Sequence, residues 1–409
     1  MQRRTWIRAC APWLVAAATG HLPRAARANG TAPDARFLLV FLRGGYDGLS
    51  ALVPTQRAFY DEVRPGIALP AATLRRLDAD WGLHPALAST LGPLLERGEL
   101  AFVPFAGTPN ASRSHFETQD SIELGLGASL VEGSGLRDFR SGFMNRLLRQ
   151  LGGRSAIGFT DQLPIALRGE LPVSNVSLKA LPRPGDMAAL QAGMLAMYRE
   201  HPLRGQVEAA FEVREQVGRQ LAEESALARE MAAASRNAVP PRGFELEARR
   251  VARLMRDRYS LGFVDVGDWD THYNQGAATG TLASRLEELG RGLAGFADEL
   301  GPGAWRRTVV VVLSEFGRTV RENGTRGTDH GHGTAYWVLG GGLAGAGAAP
   351  VRGEQVPLSA ASLFQSRDLP VLNDYRGLLA GLWQRQFGLS PAALGEVFAG
   401  VAARDLGLL

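Results

Sequence analysis

The chain has 409 residues, 45% hydrophobic and 21% charged, which excludes a disordered or fibrous protein and leaves room for one large domain or two of medium size. Its formal charge of +4 sits at the front, where residues 1–28 carry Arg3, Arg4, Arg8, Arg24 and Arg27 and no acid. Without these five of the 45 basic residues the remainder balances the 41 acidic ones, and a near-neutral body with no dense basic stripe argues against nucleic-acid binding.

Residues 1–28 read as an export signal. Arg3-Arg4 precedes an apolar stretch from Trp13 to Thr19 and then Ala26-Arg27-Ala28, a small-residue cleavage pattern. The paired arginine points to the twin-arginine route, with its translocase as a partner during export and a periplasmic or secreted product. An uncleaved amphipathic leader is the alternative. The apolar run is far short of the roughly 20 residues needed to span a bilayer, and nothing downstream is longer. The sole cysteine, Cys10, lies in this segment. The mature chain therefore has no disulfide and no thiolate metal ligand.

Residues 29–409 read as one α/β domain. Short apolar runs predict strands over Phe37–Leu42, Leu100–Phe105, Leu261–Val266, Thr308–Leu313 and Ala335–Leu339. Helical spacing predicts helices over Pro85–Arg97, Thr281–Leu300, Arg376–Phe387 and Pro391–Phe398. Strands that are apolar throughout belong in a parallel sheet buried on both faces, so the expected fold is a three-layer sandwich around a mostly parallel sheet. About 190–258 is rich in Ala, Glu and Arg and reads as two long helices forming a cap or a flank. Ligands of such sheets bind beyond the carboxyl ends of the strands.

The chemistry-bearing residues fall in those loops. Asp47, after the first strand, is a turn residue or a metal ligand. His84-Pro85 reads as a helix start. Asn110 to Glu117 contains Ser112, Arg113, Ser114 and His115; Ser114 and Glu117 match a capping box, while a serine at a helix start also suits anion binding or nucleophilic attack. Asp268 and His272, four apart with Asp270 between, reach one metal if the segment turns helically; the alternative is a capping Asp and a surface His. Glu315, at the end of the valine run, is a metal ligand, a general base or the partner of Arg318, which itself can hold an anion. His330 and His332, beside Asp329 and three glycines, read as metal ligands or as a solvated loop pair. Gly340-x-Gly342-x-x-Gly345 matches a dinucleotide pattern only formally, because no helix opens after it.

Taken in order, Phe41 to Leu49, Gly82 to Leu87, Ser112 to Glu117, Trp269 to His272, Ser314 to Arg318 and Gly327 to Gly333 resemble the exported bacterial family known as domain of unknown function 1501. Its fold in turn resembles the alkaline phosphatase and sulfatase superfamily. The resemblance implies one or two divalent metals at the carboxyl edge of the sheet, with Zn or Mn favoured and Ca or Mg the alternatives. It implies Asp47, Asp268, His272, Glu315, His330 and His332 as ligands, Ser114 (or Ser112) as nucleophile, and Arg113 or Arg318 as anion holder. The chain departs from the superfamily at Phe316, where a ligand histidine is usual, which implies that His330 and His332 supply the missing ligand, that the site holds a single metal, or that it is degenerate. The implied function is an exported metal-dependent hydrolase or transferase of phosphate or sulfate esters. The ligand would be a small anionic ester or a cell-surface polymer. A non-catalytic binding protein on the same scaffold is the alternative.

Overall fold

The computed structural model describes residues 34–127, 139–177, 194–213, 216, 243–344 and 349–409. The export signal over 1–28, the glycine at 345 and much of the 190–258 segment lie outside them. The strands in chain order are β1 (Arg36–Leu42), β2 (Leu52–Pro54), β3 (Arg75–Arg76), β4 (Trp81–Leu83), β5 (Leu100–Gly107), β6 (Ala156–Phe159), β7 (Ser174–Asn175), β8 (Leu261–Val266), β9 (Thr308–Ser314), β10 (Thr334–Leu339) and β11 (Asn373–Asp374). Eight of them form the central sheet in the order β11-β5-β10-β9-β1-β8-β6-β7; β2, β4 and β3 make a small sheet beside it. Every neighbouring pair of the large sheet is parallel except those of β10, which runs antiparallel to both β5 and β9. The expected mostly parallel α/β sandwich is the observed fold.

The period of two explains the layers. In β1, Leu38, Val40 and Leu42 enter one core, and Phe37, Leu39 and Phe41 enter the other. β9 divides likewise, Val310 and Val312 from Val309, Val311 and Leu313. Helices Pro85–Glu96, Phe244–Asp257 and Thr281–Trp305 cover the first face. Helices Phe143–Gln150, Tyr375–Phe387 and Pro391–Val397 cover the second. Phe244–Asp257, the described end of the helix-rich segment, is thus a flank of the sandwich. His84 is structural: it caps helix Pro85–Glu96 by accepting from the Ala86 amide, and its other nitrogen lies 3.0 Å from the Ala277 carbonyl. Among the described residues no helix is long and apolar enough to cross a membrane.

Candidate metal centre

The direction of each strand brings four segments to one edge. β8 ends at Val266, and its continuation carries Asp270 and His272. β9 ends at Ser314, and Glu315 follows at once. Because β10 runs the other way, the residues before it, His330 among them, start from this same edge. β5 is antiparallel to β10 and so also ends here, leading to helix His115–Leu124. The loop after β8 is pinned by Trp269, whose ring is buried edge-on against Tyr46 and whose indole N–H donates to the Val266 carbonyl. On the far side the His272 carbonyl accepts from Asn323 and Thr325.

Three histidines and an aspartate converge. His330 Nε2 lies 3.0 Å from His115 Nε2 and 3.2 Å from His272 Nε2. Asp270 Oδ1 is 2.9 Å from His272 Nε2 and 3.3 Å from His330 Nε2, and its Oδ2 is 3.5 Å from His115 Nε2. Each ring is held from behind. His115 Nδ1 donates to Glu315 (2.8 Å), His272 Nδ1 to Asp329 (3.1 Å), and His330 Nδ1 to the Arg113 carbonyl (3.0 Å). With Nδ1–H committed in this way, a neutral imidazole presents a bare lone pair at Nε2. The His330 lone pair thus faces those of His115 and His272, which is repulsive unless a cation or a proton lies between them. A tetrahedral ion with metal–nitrogen bonds of 2.0–2.1 Å separates its ligand atoms by about 3.3 Å, close to the spacings here. The donor set therefore fits a divalent metal. His115, Asp270 and His330 offer ligand atoms all within 4.8 Å of one another; His272 touches Asp270 and His330 but lies outside that set.

The same contacts set the electrostatics. Burial alone would raise Glu315, but hydrogen bonds from His115, Gln119 and the Gly44 amide hold it ionised and below the usual carboxylate range. Its contact in turn makes His115 more basic than an ordinary imidazole. Burial, then the His115 and Arg318 charges, lowers His330 and favours its neutral, ligating form. Asp270 is held below its ordinary value: burial would raise it, but the Arg318 guanidinium, 2.5 Å away, prevails. Asp270 remains 40% exposed, so an ion here keeps positions open to water, unlike a closed structural site.

The remaining candidates divide. His272 and His330 lie in the cluster; Glu315 lies behind it, on His115. Asp47 is not brought there. Its buried carboxylate pairs with Arg64 (2.6 Å) and accepts from Ser50 and Gln275. Asp268 turns away, exposed and paired with Arg285, because the segment after β8 is not helical and four-residue spacing has no meaning there. In that irregular stretch it is the alternate residues, Asp270 and His272, that come together. His332 is buried against Phe364, their rings 4.6 Å apart, and burial with the Arg113 charge lowers it to about 4. Arg318 is wholly buried on Asp270 and Thr328, where it cannot hold a substrate anion. The Arg113 side chain is committed to Asp368 and Gln365; only its carbonyl serves the cluster. Ser114 caps its helix, its Oγ accepting from the Glu117 amide, directly before His115. His115 and Asp270 are the residues sequence reasoning passed over. Phe316, where a ligand histidine was expected, is a wall: its ring lies 4.8 Å from that of His115 and 5.2 Å from that of His330.

Comparison with known proteins adds the following. No curated protein matches this chain. Among solved structures, a phosphonate monoester hydrolase of Agrobacterium radiobacter aligns over 87% of this chain and 74% of its own, at 12% identity and a TM-score of 0.34, a similarity too remote to speak to substrate or chemistry. The model of one family, described as a protein of unknown function (DUF1501), matches residues 34–398, nearly the whole described chain, and the protein belongs to that family.

Proposed function

We propose that the cluster holds a divalent metal and that the protein is an exported metal-dependent hydrolase or transferase of phosphate or sulfate esters. The observation that carries this reading is the convergence of three Nε2 atoms and the Asp270 carboxylate, each imidazole fixed from behind at Nδ1. His115, His330 and Asp270 would hold the ion, with His272 beside them and a fourth position left open, and mixed nitrogen and oxygen donors suit Zn or Mn. Such an ion supplies Lewis-acid polarisation of an ester oxygen.

The chain's own residues do the rest. Ser114 is the proposed nucleophile. It adjoins His115 at the N-terminus of a ten-residue helix, where free amides and the helix dipole favour an anionic group. Its oxygen attacks phosphorus or sulfur, the bond to the ester oxygen breaks, and the alcohol leaves with the serine proton; water or another alcohol then takes the acid group from Ser114. Arg318 positions Asp270, and Glu315 positions His115. The arginine pair and apolar run of residues 1–28 support export.

The test is metal content by mass spectrometry alongside turnover of p-nitrophenyl phosphate and p-nitrophenyl sulfate. Wild type is expected to carry metal and to lose turnover to a chelator. Ser114→Ala is expected to keep the metal and lose turnover. Wild-type rates in Ser114→Ala would remove the nucleophile assignment, and chelator-resistant turnover would remove the metal.

A further inference from the structure

Beside the cluster, on the same edge of the sheet, lies a cavity of about 410 Å³. Arg43, just past β1, forms one wall; Asp265 near the end of β8 and Phe159 at the end of β6 form others. Its size falls within the roughly 300–1,000 Å³ of small-ligand sites. A continuous run of side chains joins it to the cluster. Arg43 donates to Gln119 (2.9 Å), Gln119 donates to Glu315 (2.8 Å), and the same Glu315 oxygen accepts from His115 (2.8 Å). The cavity and the candidate metal ligands are thus linked by three hydrogen bonds.

The lining limits what can enter. Arg43 is paired with both Glu123 (3.0 Å) and Asp265 (2.7 Å), and with Asp161, Glu247 and Arg168 the lining holds four carboxylates to two guanidiniums. Asp161 accepts from Ser177 (2.6 Å), and Arg168 gives its Nε to the Leu163 carbonyl. Guanidinium donors, carboxylate acceptors and a hydroxyl therefore all line the space. The surplus of carboxylates repels a small anion, and a small cation fills little of the volume. A neutral group whose every oxygen both donates and accepts can pair with all of them. We infer that this cavity binds the hydroxyl-rich alcohol part of the ester, a sugar or another polyol, while the acid part lies at the cluster. This rests on the ester reading above and names its substrate class.

Isothermal titration of the metal-loaded full chain with neutral methyl hexosides tests it. Binding in the millimolar range is expected. The double variant Asp161→Ala/Arg168→Ala is expected to bind at least about tenfold more weakly, the loss of one good hydrogen-bonding contact. Asp161 is exposed and Arg168 half-buried, so its melting temperature and metal content should match wild type. A metal-loaded wild type that binds no hexoside, or a double variant that binds as well as wild type, would overturn the inference and leave the metal reading intact. Hexoside binding lost in the variant, in a protein that takes up no metal, would support the polyol site and overturn the ester reading.

Discussion

At His115 the Glu315 carboxylate decides which ring nitrogen faces the cluster, so Glu315 acts on the site without lying in it. Glu315→Gln should weaken metal binding by about 10–100-fold, the usual cost of losing such an outer partner, and a competition titration with a fluorescent chelator measures it. Asp47 does the opposite job: it is conspicuous in the sequence and serves only the core. Asp47→Ala strands the buried Arg64 guanidinium and should cost about 3–5 kcal/mol in denaturant melts, with metal content unchanged. Burial would raise the Asp47 carboxyl, but Arg64 holds it below its ordinary value. The pair's stabilisation is therefore complete above a pH of about 4 and is lost as the pH falls through the lowered value in the folded protein. These two residues show where sequence reasoning stops. Asp47 carries the same turn chemistry whether a metal or an arginine meets it, and only Arg64, 17 positions away in sequence, decides. Helical spacing pairs Asp268 with His272, but the chain there is irregular and brings Asp270 instead. His115 was legible as part of a motif, but its capping neighbours Ser114 and Glu117 gave that motif a sufficient local explanation.

Whole elements were easier to read than residues. β8 has the predicted bounds, and β1, β5, β9 and β10 differ from theirs by a residue or two, because runs buried on both faces admit few alternatives. Helix Thr281–Trp305 passes Leu300, its expected end, through a kink at Gly301, whose φ of 78° breaks the helical path before Pro302 starts another turn. Short β6 and β7 carry too few residues for a pattern. The reversed β10 was invisible, since pairing direction is a long-range choice. Two predictions belong at this scale. Ser114→Ala removes a helix cap and should cost about 1 kcal/mol in thermal melts, apart from any loss of turnover. At Gly45 φ is 64° and a Cβ would stand 2.4 Å from the Phe316 ring. Gly45→Ala should cost more than about 1 kcal/mol and, by pushing Phe316 onto His115 and His330, lower metal affinity in the same titration.

Across the whole molecule the sheet order gives the site its address. β8, β9 and β5 deliver their ends, and β10 its beginning, to a single edge, so residues from 115 to 330 meet from segments far apart in sequence. Two cores on the two sheet faces hold that edge rigid. An ion bound by ligands from three separate segments binds the folded chain far better than the unfolded one. Zinc at roughly a hundred times its Kd should therefore stabilise the fold by about 2.7 kcal/mol, seen as a raised melting temperature that a chelator reverses.

Metal content of the purified protein, made without a metal-affinity tag, bears most directly on the cluster. Wild type, His115→Ala and Asp268→Ala would be compared by mass spectrometry after reconstitution with Zn and Mn. One equivalent in wild type and Asp268→Ala, and none in His115→Ala, is the expected result. No stoichiometric metal in wild type, or full occupancy in His115→Ala, would contradict the assignment of the converging histidines as a metal centre.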